Sequence, residues 1–413
     1  MATLAPALVL LPEWGSGHLM SMLESCKRVL LAGAGGGREF SITLLVMRPP
    51  TDEAGSEVEA HVRREAASGL DIRFHRLPAV DPPADAAGVE EFIARYIHLH
   101  APHVRDAVAG MGRPVAALVL DMFAAPMVDV ARDLGVPSYV FMSSTGAMLA
   151  LMLHLPVLHD RVAVEFHEVD GEVERARPAA SAAGVHAVPG GGQEEPQLHV
   201  PPASVVFLCF GSMGWFEAAQ VVEITAALER SGHRFLWVLR GPPPAAESGT
   251  GAPDGSEHPT DANLDELLPE GFLERTKGRG MKEILAHPAI GGFVTHGGWN
   301  SVLESLWHGV PMAPWPLYAE QHLNAFELVR DMGVAVPLGV DRERDNFVEA
   351  AELERAVRSL MDDASEEGKK AREKAAEMKA VCRSAVAAGG GSSHAALQRL
   401  SEALHQGAAL PKN

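Results

Sequence analysis

Two parts of the chain carry side chains able to do chemistry together. His18 follows the turn Gly15-Ser16-Gly17 and opens a stretch of helical spacing. An imidazole of pKa about 6.5 can take a proton from a hydroxyl near neutral pH. Asp121 closes the apolar run 116–120, and a carboxylate behind an imidazole fixes its tautomer and stabilises its charged form. Such a pair needs no serine or cysteine nucleophile. The second part is the stretch 295–321, THGGWNSVLESLWHGVPMAPWPLYAEQ. Here His296, Asn300 and Ser301 offer donors around a glycine turn that precedes a helix over 299–308, where free amides and the positive end of the helix dipole attract phosphate. A return loop then carries Trp315, Glu320 and Gln321, whose polar members can meet sugar hydroxyls. Spacing alone equally allows an ordinary βαβ segment with a capping His and Asn, and a His18 and Asp121 that never meet.

The elements that must position these residues alternate. Apolar runs at 4–11, 40–47, 70–74, 115–120 and 138–141 read as strands, and the stretches near 19–31, 53–68, 89–110, 123–134 and 145–159 read as helices. This alternation predicts a doubly wound parallel sheet with His18 and Asp121 both at its carboxyl edge. The segment RARPAASAAGVHAVPGGGQEEPQLHVPP has no period and reads as a linker. A second series follows: a strand at 204–210, the turn 211–214, a helix over 215–231, a strand at 235–239, the 295–321 stretch with Val302, Leu303 and Leu306 inward, a short strand at 334–336, and helices near 349–363, 366–386 and 392–405. The domains expected are 1–174, a linker at 175–203, a second domain at 204–390, and a C-terminal helical segment, 391–413, packing back toward the first.

At 413 residues and 47% hydrophobic content the chain can fill two cores, since single cores rarely grow beyond about 250 to 300 residues. Its 35 basic against 54 acidic residues give a net charge of −19, which argues against a nucleic-acid surface or a polybasic membrane patch. An anionic ligand must therefore be held by local dipoles and donors. Cys26, Cys209 and Cys382 are too far apart for a CxxC metal site or a disulfide framework, which fits a reducing, cytoplasmic setting. The opening residues lack a basic n-region and read as a first strand rather than a signal peptide. No apolar run reaches the roughly 18 residues of a membrane span.

Other patterns carry less. Gly15-Ser16-Gly17 begins a dinucleotide fingerprint, but position 20 holds Met and the second strand ends in Met47-Arg48 rather than an acid, so a nicotinamide dehydrogenase is the weaker alternative. The glycines at 33–37 follow a helix and read as a loop. His98, His100 and His103 do not share one helical face, so surface histidines are expected rather than a metal site. Met142, Met148 and Met152 read as core packing, although flexible thioethers also suit an adaptable pocket. The mixed charges of 369–383 read as a solvated helix face.

The run LAHPAIGGFVTHGGWNSVLESLWHGVPMAPWPLYAEQHLNAFEL resembles the signature of plant secondary product glycosyltransferases. PEWGSGHL, VLDMFAAPMVDVA, VVFLCFGSMGWF and LPEGFLERTKGRGM are likewise similar to plant family 1 uridine-diphosphate-sugar glycosyltransferases, closest to the branch acting on flavonoids and related phenols. The resemblance implies a GT-B fold, two facing Rossmann-like α/β lobes, with the acceptor bound by the first and UDP-glucose by the second. It implies a monomer, no metal and no cofactor beyond the donor substrate, and inverting transfer to a phenolic small molecule. His18 matches the general base and Asp121 its orienting partner. Ser212, His296, Asn300 and Ser301 match contacts to the donor phosphates, and Glu304 the carboxylate on the ribose. Trp299, Glu320 and Gln321 match contacts to the sugar, where a terminal Gln is associated with glucose rather than galactose. Ser143 stands where a Thr or Ser often reaches the sugar.

Two family features are missing. A W-x-P-Q stretch, whose Trp stacks on uracil, is absent where Met281 runs directly into Lys282. The first lobe normally continues for several dozen residues past Glu174, where the Ala/Gly linker stands instead. An internal deletion, a splice variant or an imperfect gene model would each leave these gaps. The chain is thus expected to keep the catalytic pair and the phosphate and sugar contacts with weakened donor binding. The alternative is a relative that binds without efficient turnover.

Overall fold

Apolar runs closed by glycine or proline become buried parallel strands, and the amphipathic stretches between them become the helices that cover the strands. A computed structural model describes residues 5–31, 40–50, 52–161, 201–242, 260–261, 268 and 285–408. The linker residues 175–200 and the 281–282 junction lie outside these. In the first half, β1 (Ala7–Leu11), α1 (Ser16–Leu31), β2 (Ser41–Val46), α2 (Asp52–Ala66), β3 (Ile72–Arg76), α3 (Val89–Leu99), α4 (Ala101–Ala109), β4 (Val115–Asp121), α5 (Val128–Asp133), β5 (Ser138–Phe141) and α6 (Gly146–Arg161) follow in order. The sheet runs β3-β2-β1-β4-β5, all parallel. β1, β2 and β4 are buried along their whole length, as strands covered by helices on both faces must be.

The second half holds β6 (Val205–Cys209), α7 (Ala218–Ser231), β7 (Arg234–Trp237), the short antiparallel pair β8 (Arg240–Gly241) and β9 (Thr260–Asp261), β10 (Ile290–Thr295), α8 (Trp299–His308), β11 (Met312–Pro314) and α9 (Gln321–Phe326). α10 (Ala350–Met361), α11 (Glu366–Ala385) and α12 (Ser392–Ala408) end it. Its sheet runs β11-β10-β6-β7, again parallel. The fold is thus the α/β pair of Rossmann-like sheets of a GT-B protein. α12 does not stay with the second sheet. Leu397, Leu400 and Leu404 pack into the first core, and the Phe40 and His405 rings lie 4.4 Å apart.

Several expectations are corrected. The helix expected over 89–110 breaks at His100, before the Pro102 that opens α4. His100 is fully buried, with Nδ1 on Tyr96 O at 3.0 Å, and is no surface histidine. The stretch 123–134 starts as a 3₁₀ turn, Met122–Met127, because Pro126 cannot donate into an α-helix and Asp121 caps the turn by accepting from Phe123 N. α7 begins at Ala218 rather than at 215, and 334–336 contributes only a bridge from Ala335 to Met312. Leu303 faces solvent, since at 100° per residue it falls off the stripe made by Val302, Ser305 and Leu306. Met152, like Leu149, Leu151 and Leu153, is exposed on α6 rather than buried in the core. Among the described residues, no helix is long and apolar enough to cross a membrane, and no His, Cys, Asp and Glu group could hold a metal ion.

Candidate active site

The two sheets bring the carboxyl ends of their strands, and the helices those strands lead into, to one gap between the lobes. After β1, the buried carboxylate of Glu13 accepts the Gly15 amide at 2.8 Å, and His18 N and Leu19 N close the first turn of α1 on Gly15 O. That turn sets His18 as the third residue of α1. β4 lies beside β1 with Leu120 level with Leu11, so the next residue, Asp121, reaches the same edge. The parallel register thereby joins residues 103 positions apart: His18 Nδ1 and Asp121 Oδ2 are 2.8 Å from each other. Ser143, just past β5, adds its Oγ at 3.3 Å from the same Nδ1.

Asp121 is fully buried and His18 is half-buried. Burial works against the imidazolium, but the hydrogen bond and charge of Asp121, helped by Glu13 and Glu320, outweigh it and raise the His18 pKa to about 9. Since Nδ1 is the atom on the carboxylate, Nε2 is the one left to meet a substrate.

Across the gap, β10 runs into the turn His296-Gly297-Gly298 and then α8. Thr295 Oγ1 accepts Gly297 N, Asn324 Nδ2 donates to Gly297 O at 2.9 Å, and Gly297 sits at φ +79°, a conformation glycine adopts without strain. The His296 ring fits between two glycines. A Cβ on Gly211 would come within 2.7 Å of its Nε2, and one on Gly298 would also collide with it. Burial lowers the His296 pKa to about 4, against a hydrogen bond with the Cys209 backbone, so the ring is neutral, and its Nδ1 is buried without a partner. Below the Gly211 turn, Phe210, Phe216 and the fully buried Trp315 pack as a ring cluster, and Trp315 Nε1 donates to Asn346 O.

The N-cap of α8 is Gly298, with no side-chain cap; the first amides of this helix are therefore not satisfied by a capping side chain. Ser212, next to Gly211, and Ser301, in the first turn of α8, are half-buried, and Trp299 packs partly against the core. Glu304, one turn along α8, is solvent-facing, and partial desolvation raises its carboxyl pKa. Glu320 is half-buried, and its charge acts on His18.

Two of the expected residues are engaged inside the protein. Gln321 is buried, its Oε1 accepting Leu317 N and Tyr318 N at 2.9 and 3.1 Å, and it also hydrogen-bonds the Tyr318 side chain. It anchors the loop that carries Glu320. Asn300 turns both polar atoms to the first lobe, donating to Gly17 O at 3.3 Å and accepting from Ser21 Oγ at 3.0 Å. Sequence reasoning missed Glu13, Ser21 and Asn324. An acid directly behind an apolar strand was the available signal for Glu13; for the other two only the fold supplies the partner.

Comparison with known proteins points to one family and one fold. The profile of the family described as UDP-glucoronosyl and UDP-glucosyl transferase matches residues 193–370. A malvidin galactosylase of Oryza sativa subsp. japonica is 51% identical over 478 aligned positions, covering 96% of this chain and 97% of its own. An anthocyanidin 3-O-glucosyltransferase of Manihot esculenta is 36% identical, covering 91% of this chain and 97% of its own. Because 478 aligned positions exceed the 413 residues here, the Oryza protein carries internal segments that this chain lacks. Among solved structures, a UGT of Medicago truncatula complexed with UDP-glucose superposes with TM-score 0.74 at 30% identity, over 97% of this chain and 98% of that one. One from Phytolacca americana, complexed with UDP-2fluoro-glucose and pterostilbene, gives TM-score 0.76 at 26% identity over 97% and 100%. On these relationships the chain belongs to the UDP-glucoronosyl and UDP-glucosyl transferase family, as a plant-type glycosyltransferase of the GT-B fold.

Proposed function

We propose that the protein transfers glucose from UDP-glucose to a hydroxyl of a flavonoid-like or other phenol, with inversion at the sugar carbon and His18 as general base. The observation that carries this is the His18–Asp121 pair, at 2.8 Å, on the lobe facing the turn of His296 and the N-terminus of α8. Asp121 holds the Nδ1–H tautomer, so the Nε2 lone pair takes the phenolic proton. The phenolic oxygen forms a bond to the anomeric carbon as the bond from that carbon to the diphosphate breaks. The electron pair leaves with UDP, toward the amides of α8 and the neutral His296 ring, and a β-glucoside results. A phenol has a pKa of about 10, close to the raised value of His18, so the proton passes between nearly matched groups. The diphosphate charge is met by backbone amides and uncharged donors, and the reading calls for no metal. Cytoplasmic location and a monomeric state belong to the same reading.

Two observations keep a second donor in view. The Oryza relative is named a galactosylase, and Gln321 is turned into its own loop rather than toward a sugar. Turnover of a flavonol with UDP-glucose and UDP-galactose in competition tests the reading. Glucose is expected to have the higher kcat/KM, with both activities abolished by His18→Ala. A preference for galactose would replace the donor assignment. UDP-sugar binding without turnover would replace enzyme by binding protein.

A further inference from the structure

Besides the packing of α12, two polar contacts among the described residues join the lobes near His18. At the first, Asn300 in the first turn of α8 is bonded to Gly17 O and to Ser21 Oγ, at 3.3 and 3.0 Å; Gly17 directly precedes His18, and Ser21 lies one turn further along α1. At the second, Thr145 Oγ1 donates to Glu327 Oε1 at 3.3 Å. Thr145 stands two residues after Ser143, whose hydroxyl touches the His18 ring, and is itself fixed because it accepts Met148 N at 2.9 Å as α6 begins. Glu327 directly follows α9, the helix that starts at Gln321 behind the Glu320 loop. Each contact thus ties a segment holding the base to a segment placed against the donor. A Cβ on Gly17 would lie 3.5 Å from Asn300 Nδ2, so the Asn300 side chain already packs against the Gly17 backbone here.

We propose that Ser21–Asn300 and Thr145–Glu327 form a two-point clamp that sets the separation of His18 from the sugar carbon of the bound donor. Ser21 and Glu327 are thereby positioning residues for the transfer reaction. The proposal rests on the reaction assigned above, but the clamp also acts in the empty protein, where it limits how far the lobes part. Two separate contacts restrain a hinge opening and a twist together, which a single contact cannot do. Because a misplacement of about 1 Å can cost as much as 100-fold in rate, the clamp is expected to act on kcat more than on the KM of the acceptor.

The test compares wild type with Ser21→Ala, Glu327→Ala, their double variant and Glu327→Gln, which keeps a carbonyl acceptor for Thr145. Small-angle scattering of the empty proteins reads lobe separation without reference to turnover. The radius of gyration should rise in the alanine variants, most in the double, and stay at the wild-type value in Glu327→Gln. In steady-state assays with UDP-glucose, kcat should fall about tenfold in each alanine variant, acceptor KM and the pH midpoint of kcat/KM should hold, and Glu327→Gln should stay within about twofold of wild type. Unchanged scattering in the double variant would overturn the clamp even if the transfer reaction stands. Wild type that shows no transfer, with scattering that shifts as stated, would overturn the reaction and leave the clamp. Equal loss in Glu327→Gln and Glu327→Ala would show that the charge of Glu327, and not the contact, matters.

Discussion

His18 Nδ1 lies 2.8 Å from Asp121 Oδ2, and the other carboxylate oxygen, Oδ1, accepts the Phe123 amide at 3.0 Å. The carboxylate is therefore held by the backbone that follows it before it holds the imidazole. Replacing Asp121 by Asn keeps the shape but presents an amide whose NH₂ end can compete for the ring nitrogen. We expect kcat to fall by about 10² to 10⁴-fold. Single-turnover kinetics with UDP-glucose and a flavonol measure it, and a loss under about fivefold would remove Asp121 from the mechanism.

The raised His18 pKa fixes the sign of the pH response. With a value of about 9 in the folded protein, His18 is protonated at neutral pH and cannot act as base in most molecules. kcat/KM should therefore climb close to tenfold per pH unit from pH 6 upward and level off near 9. Stability runs the other way. A folded-state pKa raised above its ordinary 6.5 gives a stabilisation that is complete below 6.5 and is lost as pH rises through about 9. Thermal melting across pH 6 to 10 should show this decline, and Asp121→Asn should flatten it.

Gly298 has no room for a side chain because the His296 ring lies against it. Gly298→Ala is expected to push the ring out of its slot and weaken UDP binding by about 10-fold or more, while the melting temperature drops only a few degrees. Calorimetric titration with UDP, paired with a melting curve, separates the two. Loss of the fold together with binding would mean that the glycine serves the turn and not the ligand.

Trp315 is the largest fully buried side chain among the described residues, and its indole N–H is bonded to Asn346 O. Trp315→Ala should cost about 3 to 5 kcal/mol of folding stability, read by denaturant unfolding followed through the second lobe.

Restoring a W-x-P-Q stretch between Met281 and Lys282 should tighten UDP binding by about 1 to 3 kcal/mol, the worth of one aromatic stack on a base. Calorimetry on the two chains decides it; equal affinities would mean that the base is held some other way.

Much of this arrangement was legible in the sequence. Alternating apolar runs specified the two sheets, because a fully buried parallel strand leaves little choice of residue, and the positions of His18 at the start of the helix after β1 and of Asp121 at the end of β4 already placed them on one edge. What stayed hidden depends on partners far along the chain. Nothing near Ser21 announces Asn300, and nothing near Gln321 shows that its amide is spent on its own loop. The exposure of Met152 on α6 stays hidden for a related reason: an apolar helix reads as core wherever its cover is not itself visible. His100 was misread because burial comes from the break between α3 and α4, which the histidine spacing does not record.

The return of α12 to the first lobe has a consequence for how the protein is made. Leu404 fills part of the core built around β1, β2 and β4, so that core stays open until nearly the whole chain has left the ribosome. The second lobe can close earlier than the first, although it is synthesised later. Removing 392–408 should therefore leave a nascent-like protein in which the lobe carrying His18 is the one that proteases cut first.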